Sequence, residues 1–112
     1  MARYVRLKPN EQAAVNRLKE VLTRDFGLAR LVLFGSKARG DSHRESDIDV
    51  IIVLRDEFDW RVKHAIFDIC FDISLEHDVL LQPVVFSLAD YDKPVTRATP
   101  LLLAVEEEGV PV

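Results

Sequence analysis

Residues 47–54 read DIDVIIVL, and this stretch limits the fold more than any other. Ile48, Val50, Ile51, Ile52 and Val53 are β-branched, which favours a strand, and the density of apolar side chains predicts that the strand is buried. Such a strand must lie inside a layered structure. Its first residues contradict that setting, because Asp47 and Asp49 place two carboxylates at the mouth of a buried strand.

The neighbouring segments supply the layers. Ala14, Val15, Leu18, Val21 and Leu22 recur at helical spacing after Pro9 and Asn10, and Gly27 falls where a C-terminal cap belongs. Leu31–Phe34 is apolar and short, and reads as an interior strand ending at Gly35. From Asp59 to about Glu76, Val62, Ile66, Ile69, Cys70 and Ile73 repeat every three or four residues, which predicts a second long helix. Trp60, Phe67 and Phe71 are expected to widen its buried stripe. Asp78–Phe86 reads as a third strand, with Pro83 arguing for an edge position or a bulge. Asp90–Thr99 is expected to be a loop, followed by an N-cap at Thr99, a first helical residue at Pro100 and a short helix closed by Gly109. Strands alternating with helices give an α/β domain.

A length of 112 residues fits one domain spanning 1–112. Lys and Arg number 15 against 19 Asp and Glu, and a net charge of −4 offers no general attraction to polymeric nucleic acid or anionic lipid. Cys70 is alone in an apolar stretch and reads as a small core residue, consistent with a reducing compartment. The N-terminal residues lack the apolar core of a signal peptide and no apolar run is long enough to span a bilayer, so the chain is expected to be cytoplasmic. His43, His64 and His77 show no metal-ligand spacing.

Residues two apart on a strand share a face, so Asp47 and Asp49 project side by side while Ile48 turns into the opposite layer. Adjacent carboxylates repel unless a cation lies between them. Hard oxygen donors suit Mg²⁺ or Mn²⁺, and Mg²⁺ is commonly held by one or two carboxylates together with substrate phosphates. Gly35 and Ser36 supply what a triphosphate needs, since glycine lets backbone N–H groups approach closely and the serine hydroxyl can donate to a phosphate oxygen. Lys37 and Arg39 add positive charge nearby. Neither GxxxxGK[ST] nor GxGxxG occurs, which separates this arrangement from a Walker loop and from a dinucleotide fingerprint.

Gly35, Ser36, ten intervening residues, then Asp47, Ile48 and Asp49 resemble the G-S-x10-D-x-D signature of the DNA polymerase β-like nucleotidyltransferase superfamily. The fuller GSKARGDSHRESDIDV resembles its minimal nucleotidyltransferases, the MntA-like proteins, and the likeness extends over nearly the whole chain to TPLLLAVEEEGV. The resemblance implies a small mixed sheet flanked by helices, the polymerase β-like nucleotidyltransferase fold. It implies transfer of a nucleoside monophosphate, usually AMP from ATP, to a hydroxyl. Asp47 and Asp49 would be the catalytic pair and hold the metal, and Gly35 and Ser36 would bind the β and γ phosphates. Minimal family members often pair with a HEPN-domain protein, a toxin, as its antitoxin, and a tyrosine of that partner would be the acceptor.

The chain departs from the pattern at the third carboxylate that such families carry on a neighbouring strand. That place falls near Gln82, which is neutral, and Asp78 is the only nearby acid on the same predicted strand, about 13 Å earlier along it. Asp78 is therefore carried as a candidate third metal ligand. Gln82 equally favours an alternative in which a catalytically weak or inactive antitoxin acts by binding its partner. Transfer to a small molecule such as an aminoglycoside would need an added substrate-holding domain, for which the length leaves no room. Leu101, Leu102 and Leu103 either pack internally or present apolar surface to a partner or a second copy, as in a homo-oligomer.

Overall fold

A computed structural model describes residues 7–34 and 47–112. Helix α1 (Pro9–Asp25) starts on a proline, whose missing N–H is no loss in the first helical turn. The Lys8 backbone N–H donates to Glu11 Oε1 at 2.8 Å, and Gly27 leaves the helix at φ 67°, a conformation that glycine adopts without strain. Ala14, Val15, Leu18, Val21 and Leu22 form its buried face, as the spacing predicts. Strand β1 (Leu28–Phe34) begins three residues earlier than the apolar run suggested, with exposed Arg30 interrupting its inward face and a register shift between Leu28 and Arg30.

Strand β2 (Asp47–Leu54) is interior: every residue from Val50 to Leu54 is buried. Helix α2 (Trp60–His77) is capped by the Asp59 side chain, which accepts from the Arg61 N–H at 3.0 Å. It buries Ile66, Cys70, Ile73 and Ser74. Burial pushes the Cys70 thiol up to about 12, so it remains protonated as a core residue. The Ser74 hydroxyl donates to Cys70 O at 2.6 Å and accepts from the Leu81 N–H at 3.0 Å, tying α2 to strand β3 (Leu80–Ser87).

The chain then forms α3 (Leu88–Tyr91), α4 (Pro94–Arg97) and α5 (Pro100–Glu108), and ends in the short strand β4 (Val110–Pro111). The expected loop from Asp90 to Thr99 is thus largely two single helical turns, the first capped by Ser87 Oγ accepting from the Asp90 N–H. Thr99 caps α5 as predicted, accepting from the Leu102 N–H. Gly109 is required by space: a Cβ there would lie 2.4 Å from Val105 O and 2.8 Å from Val32 Cγ1. This closeness lets the chain turn directly from α5 into β4.

The mixed sheet has the order β3-β2-β1-β4. β2 runs antiparallel to β1 and parallel to β3, and β4 closes the other side antiparallel to β1. Pro83 lies on edge strand β3, where its missing N–H is tolerated. One face carries α1 and α2 over Leu31, Leu33, Ile48, Val50 and Ile52. The other carries Tyr91, Leu102 and Val105 over Val32, Ile51 and Val53. Of the three leucines of α5, Leu102 is buried and Leu103 is exposed. The aromatics of α2 correct the sequence expectation: Trp60, Phe67 and Phe71 are exposed, because they lie on the side of the helix turned away from the sheet. Among the described residues, no helix is long and apolar enough to cross a membrane.

Candidate active site

The alternation of β2 fixes the direction of its first three side chains. Ile48 is fully buried in the core beneath α1 and α2, so Asp47 and Asp49 project from the opposite face, beyond Ile51 and Val53 on the same side. Asp47 is exposed and Asp49 is half-buried. Burial, followed by the neighbouring Asp47 carboxylate, holds the Asp49 carboxyl above the usual carboxylate range. Asp49 is thus the member of the pair for which the fold makes negative charge most costly.

The flanking strands enclose this pair. Asp49 is the register partner of Phe34 on β1 and of Gln82 on β3, and Asp47 lies opposite Leu80. Phe34 and Val84 continue the same face as partly buried apolar neighbours, leading into the smaller core cluster. Gln82 reaches diagonally across the parallel pair, its Nε2 donating to Asp47 Oδ2 at 3.1 Å. This amide occupies the strand next to the carboxylates with a neutral donor. Its oxygen is a hard donor, but it supplies no charge.

Asp78 does not complete the pair. It is the C-cap of α2, in the left-handed conformation at φ 55°, and precedes β3 rather than belonging to it. Its carbonyl and that of His77 accept from Asn10 Nδ2, at 3.4 and 2.9 Å, which joins the end of α2 to the start of α1. Among the described residues, no group of three His, Cys, Asp or Glu side chains could hold a metal ion. The reading of Asp78 as a third ligand is corrected on this ground: a helix terminus, not a strand, sets its position. Gly35, Ser36, Lys37 and Arg39 lie outside the described residues, directly after Phe34 in the sequence.

Two carboxylates on one face, one of them disfavoured by its surroundings, form a donor set suited to a divalent cation of the Mg²⁺ type, which needs only one or two carboxylates when phosphates and water complete its shell. The sequence identified both carboxylates. It did not identify the hydrogen bond from Gln82 or the position of Leu80 beside Asp47, since both depend on a parallel register that no short-range signal encodes.

Comparison with known proteins bears on this geometry. The family model described as nucleotidyltransferase domain matches residues 15–90, from within α1 to α3, including Asp47, Asp49 and Gln82. A Methanocaldococcus jannaschii protein named "putative protein adenylyltransferase" is 36% identical over 85 residues, covering 76% of this chain and 79% of that protein. Among solved structures, a chain of a toxin–antitoxin complex with AMP-PNP superimposes with a TM-score of 0.59 at 22% identity, covering 86% of this chain and 69% of that one. A chain from a complex of a tri-AMPylated Shewanella oneidensis HEPN toxin with its MNT antitoxin gives a TM-score of 0.53 at 18% identity, covering 90% and 70%.

Proposed function

This chain belongs to the nucleotidyltransferase domain family, and from that premise we propose that it transfers AMP from ATP to a hydroxyl, the acceptor being a tyrosine of a HEPN-type partner protein. The observation that carries the proposal is the shared face of Asp47 and Asp49 at the start of β2, with the charge of Asp49 disfavoured by burial and by its neighbour. The adenylyl donor and the class of partner are supported by the similar folds found in a toxin–antitoxin complex with AMP-PNP and in a complex with a tri-AMPylated HEPN toxin.

Asp47 and Asp49 would hold Mg²⁺ or Mn²⁺. When bound, such an ion offsets charge on the triphosphate and on the attacking and leaving oxygens of an in-line displacement. Gln82 restrains the Asp47 carboxylate through its Nε2 hydrogen bond, while the alternation of β2 keeps both acids on one side of the strand. Phe34 and Val84 lie partly buried on the same face, between the carboxylates and the smaller core cluster. We assign Gly35, Ser36, Lys37 and Arg39, the residues following β1, to the triphosphate. In the transfer, the acceptor oxygen forms a bond to the α-phosphorus, the bond from that phosphorus to the bridging oxygen breaks, and pyrophosphate leaves. The hydroxyl proton passes to solvent or to a carboxylate of the site.

Gln82 supports a second reading, in which the fold is retained for binding and turnover is weak. An amide where a third carboxylate would lie lowers the negative charge available to a bound cation. One experiment separates the two readings. Purified chain, ATP labelled on the α-phosphate, Mg²⁺ and the HEPN-type partner are incubated together, and label on the partner is followed. The transfer reading expects labelling that falls by roughly 10³-fold in Asp49→Ala, corresponding to about 4 kcal/mol of barrier. A stable complex without label would establish the binding-only reading instead.

A further inference from the structure

We propose that the outer face of α2 is a self-association surface through which two copies of this chain pair with their α2 helices antiparallel. Trp60, Phe67, Phe71 and Leu75 are 71%, 40%, 62% and 68% exposed. Their spacing of seven, four and four residues aligns them in one stripe along the helix, on a different side from the buried Ile66, Cys70 and Ile73. Four large apolar side chains in a continuous line are more than scattered surface residues, and mark an interaction site.

The charges beside the stripe identify the occupant as a second copy. Arg61, Lys63 and His64 lie in the first half of α2, and Asp68, Asp72 and Glu76 in the second. The helix dipole favours the opposite order, with acids near the N-terminus and bases near the C-terminus, so the dipole does not account for the arrangement, although within the helix His64 Nδ1 lies 3.6 Å from Asp68 Oδ2 and the Arg61 and Lys63 side chains lie over the Trp60 and Phe67 rings. The arrangement does serve an antiparallel pair. A two-fold axis near Phe67 places Trp60 of one copy opposite Leu75 of the other, and Arg61 beside the second copy's Asp72. The same operation sets His64 near the second copy's Asp68, and it repeats every contact symmetrically. Arg61, His64, Asp68 and Asp72 fall on one flank of the stripe by helical geometry, and in an antiparallel pair like flanks face each other.

Because α2 packs on the sheet face opposite Asp47 and Asp49, pairing leaves the carboxylates open, and the inference stands whether or not AMP transfer occurs. Sedimentation velocity of the full chain over a range of micromolar concentrations tests it. The wild type is expected to form a concentration-dependent dimer, and Phe71→Asp to be a folded monomer. Arg61→Asp and Asp72→Arg are each expected to lose the dimer, since each juxtaposes like charges twice. Mixed in equal amounts, these two variants are expected to dimerise again, because each copy then meets the opposite charge. A wild type that stays monomeric overturns the proposal, as does an equimolar mixture that fails to recover the dimer. Occupation of the stripe only by a different protein also overturns it.

Discussion

The two faces of β2 use one strand for opposite purposes. On one face, Ile48, Val50, Ile52 and Leu54 join the continuous core beneath α1 and α2, and no polar side chain interrupts them. On the other, Ile51 and Val53 are covered only by the smaller layer of Tyr91, Leu102 and Val105, and the first two positions go to Asp47 and Asp49. A strand held firmly on one side can carry unfavourable charge on the other. The comparison separates residues whose loss should unfold the chain from residues whose loss should leave it folded and chemically silent.

The largest test of that separation is Ile52→Ala. Ile52 is fully buried within the α1–α2 side of the core, and truncation there is expected to lower stability by about 3 kcal/mol. Thermal unfolding should record a drop of roughly 10–20 °C. Asp47→Ala should unfold near the wild-type temperature, and equal losses in the two variants would erase the proposed division.

Gln82→Glu sharpens the acidic side. A third carboxylate beside Asp49 would raise the charge of the donor set, and Mn²⁺ affinity, followed by electron paramagnetic resonance, is expected to rise about tenfold, or about 1.4 kcal/mol. Affinity unchanged by the substitution would show that the β3 position does not face the cation.

The smallest effect concerns Asp49 itself. Its carboxyl is raised in the folded state by burial and by Asp47, so the fold retains a proton that the unfolded chain releases earlier as pH rises. Stability is therefore lost as pH climbs through and above the ordinary carboxylate range, and no penalty remains when both states are protonated. Asp49→Asn, measured without metal, is expected to be more stable than wild type at neutral pH by under about 1 kcal/mol, since the pair is open to solvent. That advantage should vanish toward pH 3, and an advantage that persisted in acid would point to packing as its cause.

The sequence showed the long helices, the buried strand β2 and the carboxylate pair because each depends on local periodicity: 3.6 residues per turn in α1 and α2, and two in Asp47–Asp49. It misjudged Trp60, Phe67 and Phe71 because a helix pattern shows which residues share a side but not whether a second layer covers that side. It also missed β4, since two residues paired to β1 carry no periodic signal. Asp78 and Gln82 are the clearest division. Sequence placed both on one predicted strand, whereas the left-handed C-cap of α2 removes Asp78 from β3 and the parallel register brings Gln82 to Asp49. The identity of the chemical groups was thus determined by the sequence, because side-chain alternation is a property of a single strand. Which third residue joins them was decided only by tertiary structure, because strand register is set by long-range packing and by where a helix ends.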